Sequence, residues 1–177
     1  MHPRIQEVLA HLDSSDAEFK RAVAAVPPEL RDRRPGPNRW SVQEVVEHVS
    51  LVEGRVSTML VDELNRVGEA GLGADQDTSP VLPTFDVARV IDRSHPLVAG
   101  EATLPHGNVD TETGMKAFDR HRQALRNAVL AADGLALGAV ALPHRIFGQL
   151  NLYQWIAFAG SHEARHAGQV REIAESL

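Results

Sequence analysis

The residues with the clearest chemistry stand where Ser161 to Val170 read SHEARHAGQV. His162, Glu163 and His166 spell H-E-x-x-H, a pattern in which two imidazoles on one helical face bind zinc and the glutamate activates a bound water. Helical positions four apart lie about 40° from each other and one turn along the axis, so the two histidines share a face. That face is apolar. Leu152, Trp155, Ile156 and Ala159 lead into it, and Val170, Ile173 and Leu177 continue it in phase. Far upstream, His48 interrupts an equivalent inward stripe between Val45 and Val52. Three imidazoles on the inner faces of two helices make a metal-ligand set suited to zinc, nickel, copper or iron, with positions open for water or substrate. A single inward histidine is more often a hydrogen-bonded core residue; the agreement in phase of all three favours metal.

Other polar residues are weighed against this trio. His121 falls toward the Phe118, Leu125 and Ala128 side of its helix, where it could be a fourth ligand, a base beside the site or a surface histidine; the last two are favoured. Glu163, offset by roughly 60–100° from both histidines, could accept an imidazole N–H or a water proton. Gln169, three residues past His166, could do likewise, though a solvated or helix-packing role is favoured for both. His2, His11, His95, His106 and His144 fall at a terminus, off the stripe or in loops, and are expected to be solvated.

The protease reading fails on its surroundings. The extended metzincin pattern needs a histidine at position 172, where this chain has Glu172. No further helix follows His166 to supply a glutamate ligand, and no strand pattern offers an edge on which a peptide would align. Peptidase activity is not expected.

Four long helical segments must position these side chains. The first runs from about Pro3 to Val26, with Ile5, Leu9, Leu12, Phe19, Val23 and Val26 near one face, until prolines break it. The second opens at Ser41, which forms a capping box with Glu44, and continues to about Val67. A long Gly- and Pro-punctuated stretch from Gly68 to Asn108 follows, with Phe85 to Ile91 as a possible short helix; connections of this length are usually functional. The third long helix is capped by Asp110 or Thr111 and closed by Gly134, and the last is capped by Asn151 with Gln154. No convincing strand is seen. The expectation is an all-α four-helix bundle in one domain, residues 1–177, with a long loop between helices two and three that is the natural cover for a pocket.

Composition excludes several functions. The net charge of −6 and scattered basic residues, with Lys20 and Lys116 the only lysines, argue against nucleic acid as a partner. Having no cysteine, the chain cannot supply a disulfide, a thiolate ligand or a thiol nucleophile. The start lacks a signal-peptide pattern and no apolar run approaches membrane-spanning length, so a cytoplasmic protein with no membrane partner is expected.

Two segments carry a family resemblance. RPGPNRWSVQEVVEHVSLVEGRV, Arg34 to Val56, is similar to the DinB-like segment in which W-S-x-x-E-x-x-x-H brings in the first metal histidine. PHRIFGQLNLYQWIAFAGSHEARHAGQV, Pro143 to Val170, resembles the other DinB-like signature, an F-G-x-L turn followed by H-x-x-x-H-x-x-Q. The resemblance implies an up-down-down-up bundle with His48, His162 and His166 as metal ligands, and in many members a homodimer. It implies zinc or nickel, with iron or manganese as further choices. Relatives include small-thiol-dependent S-transferases and isomerases. The expectation is a metal-dependent hydrolase, or an S-transferase using a low-molecular-weight thiol cosubstrate, acting on a small molecule. The rival is a non-catalytic binding module whose ion staples helices two and four.

Overall fold

The computed structural model describes residues 1–177. Four long helices form the bundle: α1 (Pro3–Ala24), α2 (Val42–Glu69), α4 (Thr111–Ala131) and α5 (Leu152–Ala174); the short α3 (Val87–Ile91) lies in the connection after α2. Their starts follow the expected local chemistry. The Ser41 hydroxyl accepts from the Glu44 amide while the Glu44 carboxylate accepts from the Ser41 amide, and Asn151 and Gln154 repeat the arrangement at α5. Asp110 caps α4, and Gly134, at φ 81°, turns the chain away after it.

Side-chain pairs give the helix directions. Gly114 meets Val46 and His121 meets Gly54, so α2 and α4 run parallel. Arg4 stacks on Tyr153, His11 reaches Ser161 and Arg171 donates to Glu18, so α1 and α5 are parallel too. Arg126 pairs with Asp13, and Lys20 with Asp119, which sets α1 and α4 antiparallel. The bundle is therefore up-down-down-up, and its parallel α2–α4 pair requires the long crossover between them. Close approach of that pair depends on Gly114, where a Cβ would stand 2.8 Å from Val46 Cγ1.

One expectation is corrected. The connector before α5 contains an antiparallel hairpin, β1 (Ala141–His144) and β2 (Gly148–Asn151), pairing Leu142 with Leu150. Its four-residue strands and internal Pro143 give no periodic signal. Tertiary contact holds the hairpin against α5, with Trp155 Nε1 donating to the Leu142 carbonyl at 3.1 Å. Gly148, at φ 74°, supplies the left-handed backbone of the turn.

The core is split along the bundle axis. One apolar cluster gathers Ile5, Leu12, Leu60, Leu125 and Ile156; a second gathers Phe19, Val45, Val49, Phe118 and Val170. Between them, α1 contributes Ser15, α2 Glu53, α4 Arg122, and α5 Ser161 and Glu163, all buried. In this polar layer Arg122 forms ion pairs with Glu53, at 3.1 Å, and with Glu163, and Ser57 donates to Glu53 at 2.9 Å. The three helices that carry these charges are thereby tied together at mid-length.

The crossover is ordered against the bundle. Glu7 accepts the amides of Val81 and Leu82, at 2.6 and 3.1 Å. Arg165 donates to the carbonyls of Val90, Asp92 and His95, and Glu47 accepts the Gly107 amide at 2.8 Å. No helix is long and apolar enough to cross a membrane.

Candidate metal centre

His48 from α2 and His162 and His166 from α5 come together, with one ring nitrogen from each within 4.8 Å of the others. The Nε2 atoms of His162 and His166 are 3.2 Å apart. Two imidazole nitrogens bound at about 2.0–2.1 Å to one tetrahedral ion would stand roughly 3.3 Å apart, so this pair already has the required bite. Burial pushes all three imidazoles below their usual titration range, helped at His162 and His166 by the charge of neighbouring histidines. All three are neutral at pH 7, the form that binds metal.

Two tautomers are set by hydrogen bonds. His48 Nδ1 faces the Thr103 carbonyl at 2.7 Å, and a carbonyl only accepts, so that nitrogen carries the proton and Nε2 is bare. His166 Nδ1 donates to Gln169 Oε1 at 2.7 Å, again leaving Nε2 bare. This is the usual means by which a ligating imidazole is oriented. His162 Nε2 can carry the proton that His166 Nε2 accepts at this separation, or both nitrogens can turn their lone pairs to one cation. Three neutral imidazoles grouped at this separation fit a divalent ion that accepts nitrogen ligands.

The other sequence-derived candidates divide. Gln169 reaches His166, its Oε1 accepting from Nδ1. Glu163 does not reach the histidines. It is 1 % exposed, and Arg122 engages its carboxylate in the polar layer, because the offset of 60° or more from the histidines turns it into the bundle. His121 is also separate from the trio: it lies over Gly54 on the outer side of α2 and lines a shallow groove with Thr58 and Asp62. Relative to Phe118, His121 is turned about 60° one way and Arg122 about 40° the other, which puts Arg122 nearer the inward direction. Arg122 is the functional-looking residue that periodicity missed; its position four past Phe118 was the available signal.

Two further histidines are not simply solvated. His11 is partly buried between α1 and α5, within 3.1 Å of the Ala157 carbonyl and 3.0 Å of Ser161 Oγ. His144 sits at the end of β1, its ring 4.4–4.9 Å from those of Phe158, Trp155 and Phe147. Its Nδ1 accepts the amides of Ile146 and Phe147, at 3.1 and 3.2 Å, which places the ring proton on Nε2. Burial, with Arg145 nearby, lowers its pKa to about 4.

The histidine trio and His144 open on one cavity of about 1000 Å³. The three histidines line it together with Trp40, whose ring is 4.9 Å from that of His48, and with Trp155, Phe158 and His144. Residues 96–103 of the crossover form the facing wall, so the long loop does border the pocket.

Fold and site together define a four-helix-bundle protein with a buried three-histidine group able to hold a metal ion. The chain belongs to the DinB superfamily, whose family model matches residues 11–170. It is 29% identical over 150 residues to the uncharacterized protein YuaE of Bacillus subtilis (strain 168), an alignment spanning 84% of this chain and 86% of that protein. The fold is shared with TT2238, a four-helix bundle protein of known crystal structure, at a TM-score of 0.62 and 21% identity, over 95% of this chain and 98% of that one.

Proposed function

We propose that this protein is a metal-dependent enzyme acting on a small molecule, with His48, His162 and His166 as the ligands of one divalent ion. The supporting observation is that three neutral imidazoles from two helices converge, without a fourth protein ligand grouped with them, on a cavity large enough for a small substrate. Zinc or nickel suits three imidazoles best, with iron or manganese as further choices. A divalent ion there would lower the pKa of a bound water or thiol enough to make a nucleophile near neutral pH. The reaction is hydrolysis of, or thiol transfer to, a small electrophile. Since the chain has no cysteine, a low-molecular-weight thiol has to enter as cosubstrate for the second of these.

The chain's own residues prepare the site. Thr103 and Gln169 orient His48 and His166, while Trp40, Trp155 and Phe158 border the cavity with aromatic surface that limits access of bulk water. The rival reading makes the ion a staple between α2 and α5. Arg122 already joins these helices through Glu53 and Glu163, which favours the enzyme. A homodimer in the cytoplasm completes the proposal, and sedimentation equilibrium tests the assembly.

Metal analysis of the purified protein is expected to find one ion per chain. His48→Ala is expected to lose it while far-UV circular dichroism and cooperative unfolding persist. Metal-loaded wild type, but not this variant, should turn over members of a panel of small electrophiles, with or without small thiols. Collapse of the fold on chelation would support the staple, and failure to take up zinc or nickel at micromolar concentration would remove both readings.

A further inference from the structure

The polar groups that the cavity leaves without a protein partner are mostly donors. Arg39 and Arg55 line it, both are exposed, and neither guanidinium makes an ion pair or side-chain hydrogen bond. Arg55 is seven residues past His48 on α2, on nearly the same face and roughly 10 Å farther along the axis. Arg39 follows Asn38, which takes the left-handed conformation at φ 60° in the turn leading to Trp40. His144 adds a neutral donor, because its Nδ1 is committed to accepting two backbone amides, which places its ring proton on Nε2.

The charge of the lining points the same way. It contains five arginines and a single carboxylate, Glu101, in a chain of net charge −6. Arg93 is neutralised by Glu172 through bonds of 2.6 and 2.7 Å. Arg145 and Arg165 donate to backbone carbonyls, which occupy their N–H groups without cancelling their charge. A cavity with low-dielectric walls and an excess of one sign concentrates ligands of the other. The remaining surface, from Trp40, Val52, Met59, Phe147, Trp155 and Phe158, suits an apolar body.

We propose that the cavity binds a small organic carboxylate with an apolar body, its carboxylate held by a free guanidinium of the lining, at Arg39 or Arg55, and its body laid against the aromatic wall. A guanidinium offers paired N–H donors matched to a carboxylate. The inference deepens the proposed function by naming the substrate class of the same site. Recognition of the anion itself does not require the ion.

The test uses 1-naphthylacetate and 1-naphthylacetamide, which share a body and differ in charge, titrated calorimetrically into zinc-treated wild type. The acid is expected to bind about tenfold or more tightly than the amide, the size of effect that charge-assisted hydrogen bonds produce. The double variant Arg39→Gln, Arg55→Gln should lose most of that preference with the amide's affinity unchanged. Equal binding of the two probes, no binding of either at millimolar concentration, or a preference that survives the double substitution overturns the inference. The His48→Ala variant separates the two proposals. A preference that persists there and disappears with the arginines supports anion recognition even if no metal is bound. One that disappears in His48→Ala and survives loss of the arginines assigns the carboxylate to the ion, and the inference fails while the metal reading stands.

Discussion

At the scale of single residues, the site depends on which nitrogen of each imidazole carries its proton. Thr103 settles this for His48 through a backbone carbonyl, so no substitution at 103 is needed to keep it. Gln169 settles it for His166 through a side chain, and is therefore the replaceable part. Gln169→Leu keeps the bulk and removes the acceptor. Metal affinity, measured by competition with a chromophoric chelator, is expected to fall by about 10–100-fold with the fold intact, as for other partners of metal-bound histidines. Unchanged affinity would mean that His162 and the packing around the ring are sufficient to orient His166. Glu163 belongs to a different argument, since Arg122 holds it inside the bundle.

At the scale of elements, the question is how α2 and α5 keep their histidines in register. The polar layer answers it. Glu53 lies five residues past His48, Glu163 is adjacent to His162, and Arg122 of α4 bridges the two carboxylates. Arg122→Met would leave two buried carboxylates without their cation. The expected cost is about 3–5 kcal/mol in urea unfolding, characteristic of breaking a buried pair. Combining it with Glu53→Gln and Glu163→Gln should recover part of that loss. A cost below about 1 kcal/mol for the single variant, the range of exposed pairs, would show that the layer contributes little to holding the helices.

For the whole molecule, buried neutral histidines make stability depend on pH. Burial is the main cause that lowers the pKa of His11, His48, His162 and His166, and that brings His144 to about 4. Below the unfolded value of about 6.5, the unfolded chain takes up protons that the native chain resists, so unfolding gains and stability falls with acidification. Metal-free protein should therefore lose thermal stability between pH 7 and pH 5, before its carboxylates titrate, and thermal melts followed by circular dichroism across that range check it. A flat profile would contradict the neutral assignment of these rings. Bound metal should delay the loss, because it occupies the same nitrogens the protons would take.

Local physics determined much of this protein in one dimension. Capping at Ser41, Asp110 and Asn151 needs only residues three apart, and the inward phase of His48, His162 and His166 needs only the helical repeat. Helix boundaries and the histidine trio were legible for that reason, and the DinB-like resemblance implied the direction in which the helices run. Tertiary structure decided what depends on neighbours from distant parts of the chain. It turned Glu163 to Arg122, set His121 over Gly54, and folded the connector into a hairpin whose four-residue strands are held by α5. It also brought Arg39, Arg55 and His144, from three separate segments, to one cavity. The spacing of two residues along one helix is set by the backbone repeat, whereas contacts between helices depend on how several faces pack at once, and no single segment carries that information.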